Sequence, residues 1–134
     1  MAAGAKPRGK PKMKWKPAPA ELVRRFDEAI RGFPQAEPRK MFGYPAAFVN
    51  GNMMAGLFQD SMMVRLSAED LVAFREMTGA ELFEPMPGRV MREYAVVPQS
   101  VVKSEAKLRR VLADALRYSR SLPAKAAKAR RTKA

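Results

Sequence analysis

Between Lys40 and Leu66 the chain passes through four short apolar stretches, "KMF", "AAFV", "MMAGLF" and "MMVRL", each separated from the next by residues that break or turn a strand. This spacing constrains the fold more than any other feature. Asn50-Gly51 is the strongest of the signals, because both residues tolerate the positive φ that a type I′ hairpin turn needs. "QDS" makes a second tight turn, and "GYP" interrupts the first stretch, with Gly43 relaxing the backbone and Pro45 holding Tyr44 extended. The expectation is an antiparallel meander from Lys40 to Leu66.

Helical periodicity flanks the meander. From Ala20 to Phe33 the residues Leu22, Phe26, Ala29, Ile30 and Phe33 fall on one side of a 3.6-residue period, and the helix should stop near Gly32. Ser67 and Asp70 fit a capping box that opens a helix over Ala68 to Met77, with Gly79 ending it. "FEPMPGR" is too punctuated for regular structure, whereas "VMREYAVV" reads as a strand stopped by Pro98. After a short turn around Gln99 to Val102, Ser104 caps a last helix reaching Leu122, with Leu108, Val111, Leu112, Ala115, Leu116 and Ser119 on one face. The order is α-β-β-β(-β)-α-β-α, an α+β fold with helices packed on an antiparallel sheet.

Charge divides the chain differently. Of 134 residues, 26 are Lys or Arg and 13 Asp or Glu, a net charge of +13. Residues 1–18 hold six basic side chains and residues 123–134 five, with no acid in either, so the segment 19–122 is close to neutral. The terminal segments pair Lys and Arg with Ala, Pro and Gly, which bury too little surface to offset the entropy of ordering. They are expected to be disordered basic tails around one domain spanning 19–122. Clustered cations of this kind either solubilise the ends of the chain or seek phosphates, binding nucleic acid through counterion release, and Trp15 within "KWK" can stack on a base or fold back onto apolar surface.

With no Cys and no His there is no disulfide framework, imidazole base or common zinc set. No apolar run approaches membrane-spanning length, and no h-region follows the basic start, so a cytoplasmic location is expected, with no membrane contact. The glycines of "GYPAAFVNGNMMAG" punctuate strands and lack the Lys-Ser/Thr pair of a phosphate loop.

Eight of the ten Met residues lie between Met41 and Met91. In the pairs Met53-Met54 and Met62-Met63 one member must face each side of the sheet. Core filling and an adaptable partner surface are both open readings, the first being the ordinary one. Arg92, Glu93 and Tyr94 are the candidate site for a small-molecule or enzymatic alternative, with Tyr94 or Glu93 as acid or base and Arg92 holding an anion. No nucleophile accompanies them in the sequence, so an Arg–Glu pair with Tyr at its rim is the simpler reading. On the last helix Arg109, Arg110, Arg117 and Arg120 form a basic face interrupted by Asp114. The candidate nucleic-acid contacts are therefore Lys10, Lys12, Lys14, Trp15, Lys16, Arg109, Arg117, Lys128, Arg130 and Arg131.

"RKMFGYPAAFVNGNMMAGLF", "VRLSAED" and "FEPMPGRVMREYAVVP", followed by the closing helix, resemble the TfoX N-terminal domain. That domain forms the first half of the TfoX/Sxy competence regulators and the whole of many small bacterial proteins. The resemblance runs from Glu21 to Leu122. It implies a compact α+β domain without an accepted catalytic site or cofactor, acting as a regulatory or interaction module connected with transcription. Tyr44 and Pro45 depart from the Gly and small residues of members nearer the competence regulators. The expectations are thus a non-enzymatic module, no cofactor, an unidentified protein partner, nucleic acid held through the tails, and a plain homodimer as a further alternative.

Overall fold

The computed structural model describes residues 16–124. The elements are α1 (Ala20–Ile30), β1 (Glu37–Met41), β2 (Tyr44–Val49), β3 (Asn52–Phe58), β4 (Ser61–Arg65), α2 (Ala68–Thr78), β5 (Leu82–Met86), β6 (Arg89–Val96), α3 (Gln99–Val102) and α4 (Glu105–Ser121). The strands form one six-stranded sheet in the order β1-β2-β3-β4-β6-β5, with every neighbouring pair antiparallel. This is the expected α+β class.

The local chemistry explains most boundaries. Asn50 and Gly51 sit at φ 53° and 80°, as a type I′ turn between β2 and β3 requires. Ser67 Oγ accepts the backbone N–H of Asp70 at 3.2 Å, and Gly79 closes α2 in the left-handed region at φ 76°. Ser104 caps α4 through the Lys107 N–H at 3.3 Å.

Three expectations are corrected. The first break in the meander is Phe42-Gly43, at φ 56° and 84°, so "YP" belongs to β2 and Pro45 stands opposite Lys40. "FEPMPGR" is ordered: Leu82–Met86 pairs with Arg89–Val96 around a Pro87-Gly88 turn. Pro85 is tolerated because β5 is an edge strand whose outer side needs no N–H. The residues Gln99–Val102 form a short helix where a turn was expected.

Apolar side chains gather on both faces of the sheet. On one face, α1 contributes Leu22, Phe26 and Ile30, α2 Leu71 and Phe74, α3 Val101 and Val102, and α4 Leu108, Val111, Leu112, Ala115 and Leu116. Met54, Leu57, Met62 and Val64 meet them from the sheet. The Met pairs divide as strand geometry demands, with Met53 and Met63 turned to the other face. A bulge between Ala47 and Phe48 in the β2–β3 ladder places Met54 and Ala55 together on the helix side.

Candidate interaction surface on the open face of the sheet

The second apolar cluster is built from strand residues alone. Met41 comes from β1, Ala46 and Phe48 from β2, Met53 and Phe58 from β3, Met63 from β4, Phe83 from β5, and Met91, Tyr94 and Val96 from β6. No described helix contributes to it. Met63 and Phe83 are nevertheless only 1% and 6% exposed. Tyr44 packs on Phe58 at 5.6 Å between ring centroids, and Phe58 on Phe83 at 5.5 Å, which joins the two ends of the surface.

The result is a groove of about 660 Å³. Beneath it the sheet is close-packed at Gly56, where a Cβ would stand 3.3 Å from Ala46 Cβ and 3.5 Å from Met63 Cε. At its margins Phe42 is 74% and Met86 48% exposed. Among the described residues, the charged side chains lining it are Arg65 and Arg89, and no carboxylate does.

Arg65 belongs to a polar cluster at one side of the groove. Its guanidinium lies 2.7 Å from Glu93 Oε1 and stacks 5.6 Å from the Tyr94 ring centroid and 5.8 Å from that of Tyr118. The Tyr118 hydroxyl donates to Glu93 Oε2 at 3.0 Å. Burial raises the Tyr94 phenol above its ordinary value, with the Glu93 charge adding to the rise and Arg65 opposing it. Tyr118 is raised by burial first, then by its hydrogen bond to Glu93 and the Glu93 charge.

The candidate triad from the sequence does not converge. Glu93 is held by Arg65 and Tyr118, Tyr94 faces the groove, and Arg92 is exposed with no ion pair among the described residues. The Arg–Glu pair exists, but the arginine is Arg65, which the register brings opposite Tyr94. Sequence spacing could not reveal this partner; a correct β4–β6 register would have.

Lys10, Lys12, Lys14, Trp15, Lys128, Arg130 and Arg131 lie outside the described residues. Lys16 is exposed, and its carbonyl accepts the Tyr44 hydroxyl. Arg109 reaches Glu105 at 3.5 Å, while Arg117 bridges Asp70 at 2.8 Å and Asp114 at 3.0 Å. Arg117 thus fastens α2 to α4. The groove between those helices, about 860 Å³, is lined by Lys107, Arg110 and Arg117 and also by Asp70 and Asp114, so most of its charge cancels. No helix among the described residues is long and apolar enough to cross a membrane.

The described residues therefore form an α+β domain, an antiparallel sheet backed by helices on one side and carrying on the other an apolar cluster to which no described helix contributes. The chain belongs to the TfoX N-terminal domain family, which matches residues 28–119. A comparison with curated proteins gave no match.

Proposed function

We propose that the protein is a non-enzymatic interaction module whose open sheet face receives a protein partner, in a role associated with transcription. The observation that carries this is the apolar cluster drawn from all six strands with no described helix over it. An antiparallel sheet packed on one side ordinarily turns polar residues to water on the other. A contiguous apolar surface in that position marks a site of association. Its methionines suit such a role, since unbranched thioether side chains repack against different shapes. The basic terminal segments add sequence-independent affinity for nucleic acid. A site made by Arg92, Glu93 and Tyr94 has less support, because Glu93 already serves two partners within the fold.

The test is site-specific photocrosslinking in the native cell. A benzophenone side chain at Phe42 or Met86, both at the groove, should yield protein adducts, and the same group at the exposed Glu76 of α2 should not. Equal adducts from all three positions, or none from the groove, would remove the proposal.

A further inference from the structure

We infer that the chain's own N-terminal segment lies in this groove, with Trp15 as its anchor and Met13 beside it, so that a partner must displace it. The displacement rests on the docking role proposed above; the occupancy does not.

The described chain begins at the groove. Lys16 gives its carbonyl to the hydroxyl of Tyr44, which lines the groove and packs on Phe58. Two residues later Ala18 packs against the helix-side core, so the backbone rounds the sheet here and hands the residue before Lys16 to the groove. This end of the sheet carries the β1–β2 and β3–β4 turns, with Phe42 in the first and Gln59 in the second. Phe42, Tyr44 and Gln59 all line the groove, and each makes a further contact, so this end is already engaged.

The sequence of the segment suits that place. Lys10-Pro11-Lys12-Met13-Lys14-Trp15-Lys16 alternates basic and apolar residues without a break. In an extended chain this period turns Pro11, Met13 and Trp15 to one side and the lysines to the other, and Lys16 is exposed as the pattern requires. Three extended residues cover about 10 Å, two strand spacings, which carries Met13 from Tyr44 on β2 to Met63 on β4. The margins do not repel a basic segment, since Arg39 is offset by Glu37 at 3.4 Å and Arg65 by Glu93 at 2.7 Å. Arg89 lies beside the β5–β6 turn at the opposite end. With so short a tether the effective concentration of Trp15 at the groove is on the order of millimolar, and a modest apolar contact suffices.

The C-terminal segment is not placed to compete. The Pro123 carbonyl accepts Asn52 Nδ2 at 3.0 Å beside the β2–β3 turn, at the other end of the sheet, and residues 125–134 hold no aromatic residue and no Met.

The experiment uses the full-length chain in dilute solution with a benzophenone side chain in place of Trp15. Irradiation should give intramolecular adducts that peptide mass spectrometry maps to Phe42–Tyr44 or Phe58–Gln59. Adducts on the helices, adducts joining two copies, or none at all would overturn the inference. In the unmodified chain Trp15 is the one Trp, so its fluorescence reports the segment directly. Its emission should be blue-shifted from that of free tryptophan at low and high salt alike. Phe42→Asn should shift it to the red and increase quenching by acrylamide, and the backbone at φ 56° accepts asparagine. Met77→Gln, at an exposed position of α2, should leave the emission unchanged. An emission that is already that of a solvated indole, or one that Met77→Gln moves and Phe42→Asn does not, would also overturn it.

Displacement is read in the cell. Trp15→Ser should raise severalfold the intermolecular adducts formed by a benzophenone side chain at Met86, because the groove is then open in a larger fraction of chains. An unchanged yield would remove the displacement. No intermolecular adducts with or without Trp15 would remove the docking role and leave the occupancy standing, whereas adducts from a chain with a solvated Trp15 would do the reverse.

Discussion

Arg65 and Glu93 meet at 2.7 Å where β4 and β6 run side by side, and the second oxygen of the same carboxylate takes the Tyr118 hydroxyl from α4 at 3.0 Å. One side chain therefore ties two strands and a helix. Arg65 is 17% exposed in its side chain, so its charge is held close to the fold and its guanidinium is kept between the Tyr94 and Tyr118 rings. The groove wall on that side is positioned by this tie.

The two tyrosines should respond unequally to loss of their hydroxyls. Tyr118→Phe removes the bond to Glu93 and is expected to cost about 1 kcal/mol. Tyr94→Phe keeps the ring under Arg65 and loses a hydroxyl with no hydrogen bond among the described residues, so it should be nearly neutral. Chemical denaturation of the two variants checks the difference; equal losses would mean that the tie is not formed.

Alkaline pH should weaken the fold through the same pair. Both phenols hold their protons more tightly in the folded chain than in the unfolded one. Below about pH 10 neither state is ionised and the stabilisation is complete; above it the unfolded chain loses its phenolic protons first, so stability falls as pH rises. The melting temperature should drop above that pH, with a shallower drop in Tyr118→Phe. Glu93→Gln, by removing the raising charge, should move the ultraviolet titration of Tyr118 to lower pH. An unmoved titration would contradict the assignment.

Gly51→Val places a β-branched residue at φ 80° in the β2–β3 turn. The expected loss is about 1–3 kcal/mol, read from thermal melting. A melting temperature equal to that of the parent would show that the turn has another conformation.

Much of this architecture is legible in the sequence where a residue type and a backbone requirement coincide. Asn50-Gly51, the Ser67 and Ser104 caps and the split of Met53 from Met54 are each dictated within a few residues of chain. The Phe42-Gly43 turn escaped because a bulky aromatic seldom adopts φ 56°, and Tyr44-Pro45 nearby gave the stronger local signal. β5 escaped because Pro85 reads as a breaker until its place at the sheet edge is known. The open face and the Arg65–Glu93 pair depend on register between strands 28 residues apart, which no local pattern encodes.

The terminal segments make a separable prediction. Removing residues 1–15 and 125–134 keeps the Lys16 carbonyl on Tyr44 and the Pro123 carbonyl on Asn52 Nδ2 at 3.0 Å, so the shortened chain should still unfold in one cooperative transition. Binding of the full chain to two unrelated DNA duplexes should be alike and fall with salt, with a log–log slope of about −0.9 per phosphate neutralised. The shortened chain should bind far more weakly, with a flatter slope. Undiminished binding would place the contact on α4, at the face bearing Arg109.

The division of methionines between the two sides of the sheet also sets how the protein meets oxidants. With no Cys in the chain, thioethers are its only oxidisable sulfur. Met54 and Met62, 0% and 1% exposed beneath the helices, are shielded, whereas Met86 at the groove is 48% exposed and Met41 and Met91 are partly so. Sulfoxide formation will therefore begin at Met77, 76% exposed on α2, and at Met86, turning the groove margin polar while the interior stays reduced. Peptide mass spectrometry after mild peroxide treatment should find Met86 modified well before Met54 or Met62, with the melting transition intact. On the docking role proposed above, a partner would then be released without unfolding of the chain, and reductase repair of the sulfoxides would let it return.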